Sequence, residues 1–302
     1  MALVQVFIAT YNRPSLVLKA IHSALGQNFD SFEVIVSDNS TNDDTEILIS
    51  HIKDNRLLYI RRTPSLPPLD HFNAILQDVT SDYFMIFHDD DLMYPELLQE
   101  LYKNIICNKN IIAVGANAKI VTPGLSPNRL MLKNKNENLL VCSRDQMAYQ
   151  YLIKRGIVPL PSYLYKYEIA KKMKFNTKNG GKHCDTAFLM DISSMGNVLL
   201  LIKPLMDYFI SSVQDSQIND FSHKISLVNF ITKTSIYKKD SYLIKRFRVV
   251  NLYYELLQDK KNKNLISYKR KLKILKLLLK ISPFDFFPRA ILQLIRQLNI
   301  ND

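Results

Sequence analysis

The chain has 302 residues, 47% of them hydrophobic, enough for a full core built as one large α/β domain or as a domain with an appendage. The opening MALVQVFIATYNRP lacks a basic n-region and a cleavage site, and no apolar stretch approaches the roughly 18 residues a bilayer span needs, so neither a signal peptide nor a transmembrane helix is expected. Cys107, Cys142 and Cys184 fit neither a disulfide framework nor a zinc site, which suits a reducing cytoplasm; of the net charge of +12, nine units fall in residues 240–302, where 14 Lys and Arg face 5 Asp and Glu.

In chain order, LVQVFIAT (3–10) reads as a buried strand and PSLVLKAIHSALGQ (14–27) as a helix with Pro14 in its first turn. FEVIVS (32–37) is a second strand, and the Asn/Asp/Thr cluster of STNDDTEILISHIK is expected to cap the helix after it. RLLYI (56–60), DHFNAILQDV (70–79), YFMIF (83–87), YPELLQELYKNII (94–106) and IIAVGAN (111–117) continue the alternation of strand and helix. Residues 118–180 are less regular: a Pro/Asn/Lys-rich loop (122–138), a helix from Ser143 to about Lys154, and a strand around SYLYKY. GGKHCDTAFLMDIS opens a helix near Asp185, NVLLLI (197–202) reads as a short strand, and from His223 onward the pattern is helical and basic.

Strands that are apolar on both faces and alternate with helices predict a mostly parallel sheet covered on two sides. Ligands of such sheets bind beyond the carboxyl ends of the strands. At those ends stand Thr10-Tyr11-Asn12-Arg13, Asp38-Asn39-Ser40 and His88 to Asp91. With 7 glycines in all, and neither a G-x-G-x-x-G nor a G-x-x-x-x-G-K run, dinucleotide and P-loop readings fail. Three adjacent carboxylates, Asp89, Asp90 and Asp91, repel one another unless a cation joins them; hard oxygen ligands can hold a divalent metal, which can clamp a diphosphate. The plainer alternative is a polar turn capping the next helix. Asp38 can accept from a base N–H or ribose hydroxyls, or cap its helix, although Asn42, Asp43 and Asp44 lie nearer that start. Thr10 and Arg13 can meet a base and a phosphate; for Arg13 the alternative is surface solvation.

IATYNR, VIVSDNSTNDDTE, HDDDLMYPELL and CDTAFL, in that order, resemble the inverting family 2 glycosyltransferases of the GT-A fold over roughly residues 1–220. The resemblance implies a GT-A domain (1–220), with a nucleotide-binding half (1–117) and an acceptor half (118–220), followed by a basic helical region (221–302). It places nucleotide binding on Thr10, Tyr11, Arg13, Asp38 and Asp89. Mn²⁺ or Mg²⁺ falls to Asp90 with Asp89, Asp91 being a supporting or capping residue and His88 a neutral strand-end residue. In the family's Glu-Asp motif the glutamate is replaced by Cys184; Asp185 keeps the place of the catalytic base, with an N-cap as the alternative. Many relatives carry Arg and His where this chain has Phe209 and Ser211, while Gln214-Asp215-Ser216 still matches; Arg61, Arg62 or the 122–138 loop are candidates to neutralise the diphosphate instead.

In YKRKLKILKLLLKIS, Lys269, Lys273, Lys276 and Lys280 share one helical face opposite Ile274, Leu275, Leu278 and Ile281. That pattern fits an interfacial membrane helix, and equally a helix packed on the domain with a solvated face. Nucleic acid is not an expected partner, since no recognition motif accompanies the charge. The sequence thus predicts transfer of a sugar from a nucleotide donor, a UDP-sugar foremost, to a glycan or polyprenyl-diphosphate-linked acceptor in O-antigen or capsule synthesis. The enzyme is expected in the cytoplasm or at the inner face of the plasma membrane. The alternatives are a sugar nucleotidyltransferase, disfavoured because ATYNRPS is no Gly-rich phosphate loop, and a non-catalytic partner subunit.

Overall fold

The computed structural model describes residues 2–262 except 123, 125–128, 134–135, 155–156 and 211–220, together with 276–277. Ser211, Gln214-Asp215-Ser216 and nearly all of the basic tail from 264 lie outside the described residues. The first half runs β1 (Val4–Thr10), α1 (Pro14–Leu25), β2 (Phe32–Asp38), α2 (Asp44–Ile49), β3 (Leu57–Arg61), α3 (Pro68–Asp78), β4 (Tyr83–His88), β5 (Leu92–Met93) and α4 (Leu97–Ile106). Then come β6 (Ile111–Val121), β7 (Arg129–Leu130), β8 (Leu139–Val141), α5 (Arg144–Lys154), β9 (Tyr163–Lys166), α6 (Tyr167–Lys172), α7 (Cys184–Ile192), β10 (Asn197–Phe209), α8 (Phe221–Thr234) and α9 (Tyr242–Asn262).

One sheet of order β3-β2-β1-β4-β9-β6-β10-β5 runs through the molecule. β3, β2, β1 and β4 are parallel, as their continuous apolar runs imply, and β10 is parallel to β6. β9 departs from the parallel pattern: it lies antiparallel between β4 and β6. Alternate residues of one strand feed different cores. Phe7, Ile35, Phe84 and Ile86 join the face covered by α3, α5, α7 and α8, whereas Val6, Ile8, Val36, Met85 and Phe87 pack against α1 and α4. Leu227, Val228, Phe230 and Ile231 of α8 and Ile244 and Phe247 of α9 belong to the first of these cores.

Three local expectations are corrected. β10 does not stop at Ile202 but continues to Phe209, because its register shifts around Pro204 and the Asn117 side chain bridges the irregularity, donating to the carbonyls of Ile202 and Leu132 at 3.0 Å each. A proline without an N–H is thus accommodated at a bulge. α4 starts at Leu97, not Tyr94, because Leu92 and Met93 pair antiparallel with Asp207 and Met206, and the Tyr94 amide donates to the Leu205 carbonyl at 2.9 Å. The Asn/Asp cluster before α2 forms no side-chain cap. Arg61 draws Asp43 to 3.1 Å, and Asn42 donates to Asp44 at 2.8 Å.

Candidate active site

Register brings the strand ends together. Thr10 pairs with Asp38 across β1 and β2, and Ala9 pairs with His88 across β1 and β4, so Asp89 arrives opposite Thr10. The Thr10 hydroxyl donates to Asp89 Oδ2 at 2.8 Å. Asn12 adopts a left-handed backbone (φ 52°), tolerated by a short polar side chain. Its amide donates to Ser40 Oγ at 2.8 Å, and its Oδ1 accepts from the Thr41 amide at 2.9 Å. The loops after β1 and β2 are therefore sewn into one unit.

Asp38 is fully enclosed. Its carboxylate accepts from the Ser40 amide at 2.9 Å and the Tyr59 hydroxyl at 2.7 Å, and Arg61 Nη1 stands 3.8 Å away. Arg61 is also held by Asp43 and Glu46, and Arg62 by Ser37 and Asp78. Both arginines thus serve the β2–β3 side of the rim. Tyr11 is 49% exposed at the mouth.

The acid trio splits by environment. Asp89 is buried, and burial pushes its carboxyl up to about 6 despite Arg13 and the Thr10 hydroxyl beside it. Arg13 Nη1 lies 3.2 Å from Asp89 Oδ1 and 3.1 Å from Asp90 Oδ2. Asp91 is 1% exposed; one oxygen accepts the Phe209 amide at 2.9 Å, while Oδ2 has no hydrogen-bond partner among the described residues. His88 Nδ1 is 3.7 Å from that oxygen. Burial, then the Asp90 charge, drive the Asp91 carboxyl well above the ordinary carboxylate range. Burial lowers the His88 imidazole, opposed by Asp90 and Asp185.

Asp185 enters from α7. It is no N-cap, since His183 holds that position; instead its Oδ1 accepts the Thr186 amide at 2.7 Å. Burial raises its carboxyl, with Thr186 and then the His88 ring opposing. The Tyr208 hydroxyl is raised by burial and by the charges of Asp91, Asp185 and Asp90. The charge of Asp185 thus acts on His88 and Tyr208, the same groups on which Asp90 acts. Ligand atoms of His88, Asp90 and Asp91 lie within 4.8 Å of one another, a set able to hold a hard or borderline divalent cation. The orphaned, buried Asp91 oxygen supports that fit. Asp89, paired with Asp90 in the sequence reading, instead faces Thr10 and Arg13. Sequence reasoning singled out Thr10, Tyr11, Arg13, Asp38, Asp89, Asp90 and Asp185; it missed Tyr208, and it gave His88 and Asp91 only supporting parts.

A largely parallel sheet with acids at its carboxyl rim and a further carboxylate on a following helix is the architecture of the GT-A fold. The description "Glycosyl transferase family 2" matches residues 5–173, and the chain belongs to that family and is a glycosyltransferase. It is 26% identical over 272 residues to an uncharacterised glycosyltransferase of Methanocaldococcus jannaschii, covering 86% of this chain and 80% of the relative. Over 91 residues, 30% of this chain and 36% of the relative, it is 32% identical to the Escherichia coli UDP-Glc:alpha-D-GlcNAc-diphosphoundecaprenol beta-1,3-glucosyltransferase WfaP. Staphylococcus aureus TarS 1–349 in complex with UDP shares the fold, with a TM-score of 0.62, 16% identity and coverage of 94% and 81% of the two chains. No helix among the described residues is long and apolar enough to cross a membrane.

Proposed function

We propose that the protein transfers a sugar from a UDP-sugar to a glycan or polyprenyl-diphosphate-linked acceptor, with inversion at the anomeric carbon. One observation carries the reading: at the carboxyl rim of the sheet, His88 and the acids after β4 gather a set of possible cation ligands, and the charge of Asp185 from α7, far away in sequence, acts on the same His88. The similarity to WfaP supports the donor class and the lipid-linked acceptor, and with them a place in O-antigen or capsule assembly.

Asp185 takes the proton of the acceptor hydroxyl as its oxygen bonds to the anomeric carbon. The bond from that carbon to the diphosphate oxygen breaks on the opposite face, and its electron pair leaves with the diphosphate. Burial that raises the Asp185 carboxyl makes it a stronger proton acceptor than a surface aspartate. Asp90, with Asp91 and His88 beside it and Asp89 behind, would hold a Mn²⁺ or Mg²⁺ ion; when bound, such an ion neutralises charge developing on the departing diphosphate. Thr10 holds Asp89 through its hydroxyl, Arg13 pairs with Asp89 and Asp90 in the cation-free site, and Tyr11 is open to a base. Asp38 orients Ser40 and Tyr59 through one acceptor site on each oxygen, and a second site on each remains for a base N–H.

In this proposal residues 1–220 form the transferase unit and 221–302 a basic C-terminal region, whose lysine-rich end meets an anionic membrane face. Vesicle co-sedimentation that is unchanged by deleting residues 264–302 would remove that last element. The function itself is tested by UDP release from a panel of UDP-sugars. Release that needs Mn²⁺ or Mg²⁺ and stops with EDTA supports it; no release from any donor leaves the non-catalytic alternative standing.

A further inference from the structure

Arg13 occupies an unusual place for an arginine that starts a helix. Its carbonyl accepts the Leu16 and Val17 amides at 3.1 Å each, so the first turn of α1 fixes its backbone. Its side chain is 47% exposed and reaches back across the rim, where a single nitrogen, Nη1, serves both Asp89 and Asp90. This is not the two-nitrogen fork that makes arginine–carboxylate pairs strong. Arg13 is half-exposed while its acids are largely enclosed, and its one nitrogen donates to Asp90 Oδ2 at 3.1 Å, a contact weaker than a two-nitrogen fork. The backbone is therefore anchored while the guanidinium is loosely held.

Asp89 and Asp90, which it touches, adjoin a third acid, Asp91, whose buried Oδ2 lies 3.7 Å from His88 Nδ1 and has no hydrogen-bond donor among the described residues. A divalent cation drawn to His88, Asp90 and Asp91 must share Asp90 with Arg13. Two cations on one carboxylate repel, so each weakens the other's hold. A diphosphate bound to that cation brings negative charge to the same rim, within reach of a guanidinium just released from the acids.

We propose that Arg13 is a displaceable internal counter-ion: it holds Asp89 and Asp90 while the cleft lacks a cation, gives way when a divalent cation arrives, and then binds the donor's diphosphate. The inference rests on the cation–diphosphate reading of the cleft and adds a binding order to it. Cation and diphosphate each favour the conformer in which Arg13 has left the acids, so each tightens the other, and the coupling is reciprocal. The same swing keeps the cation weakly bound until the nucleotide sugar is present.

The test is a calorimetric titration of full-length wild type, Arg13→Gln and Arg13→Lys with Mn²⁺ alone, UDP alone, and UDP on Mn²⁺-saturated protein. Removing the guanidinium is expected to tighten Mn²⁺ alone by about fivefold, and to weaken UDP on the Mn²⁺-loaded protein by about tenfold. The factor by which UDP tightens Mn²⁺ therefore shrinks in Arg13→Gln and is intermediate in Arg13→Lys. Unchanged or weaker Mn²⁺ binding by both variants overturns the inference, as does a coupling factor equal to that of wild type. If wild type binds Mn²⁺ and UDP together while the variants match it, only the counter-ion role falls. Wild type that binds neither overturns the cleft reading as well.

Discussion

Single residues in this site are defined as much by what already holds them as by what they could hold. Asp38 was legible in the sequence as a strand-end acid, but its enclosure by Ser40 and Tyr59 was not, because Tyr59 comes from the next strand. Asp91 looked like a turn residue; only the sheet register shows that the Phe209 amide takes one of its oxygens and leaves the other orphaned. His71 is the same lesson on the far side of β2. Its Nε2 lies 2.8 Å from Ser37 Oγ, which also accepts from Arg62, and Arg62 in turn binds Asp78. Burial, helped by Arg62 and opposed by Ser37, Asp38 and Asp78, pulls the imidazole down to about 4. A depressed pKa means that the unfolded chain takes up the proton first. The His71 contribution is therefore intact above about pH 6.5 and is lost as pH falls from there toward 4, a loss of about 3 kcal/mol if the whole shift is realised. Thermal melts of wild type and His71→Gln across pH 4–7 should show the gap between them narrowing, or reversing, toward acid pH. A gap independent of pH would place the lowered value elsewhere.

At the scale of elements, the first half was readable because uniformly apolar strands alternate with amphipathic helices, and the parallel direction of β1, β2, β3 and β4 follows from that alternation, although their order does not. The second half was not. SYLYKY announces a strand but not its antiparallel insertion between β4 and β6, since nothing local fixes a strand's direction. NVLLLI seemed to end at Lys203-Pro204, yet Asn117, from another strand, supplies the bonds that carry β10 past the proline. Packing at β6 and β9 explains a glycine in mid-strand: a Cβ on Gly115 would meet Val158 Cγ2 at 2.5 Å and Tyr163 Cε1 at 2.6 Å. Gly115→Ala is thus expected to overpack this junction and to cost about 1–3 kcal/mol, read as a lower melting temperature. An unchanged melting temperature would mean that the β9 junction is looser than these contacts require.

Across the whole molecule the charge separates into two zones. Acidic groups collect at the carboxyl rim of the sheet, while in the sequence the excess of basic residues falls beyond residue 240. Membership of glycosyl transferase family 2 rests on residues 5–173, which include the acid trio but stop before Asp185. The union of those two parts in one cleft is accordingly the point on which the proposed chemistry stands. Asp90→Asn and Asp185→Asn, compared with wild type in UDP affinity and in turnover of a UDP-sugar with Mn²⁺, separate their roles. Asp90→Asn should lose the Mn²⁺-dependent part of UDP binding. Asp185→Asn should bind UDP within about twofold of wild type while its turnover falls by at least about 100-fold, the usual weight of a positioned base. Turnover that survives in Asp185→Asn, or nucleotide binding that collapses together with it, would contradict a cleft in which one carboxylate takes the proton and the others serve the diphosphate.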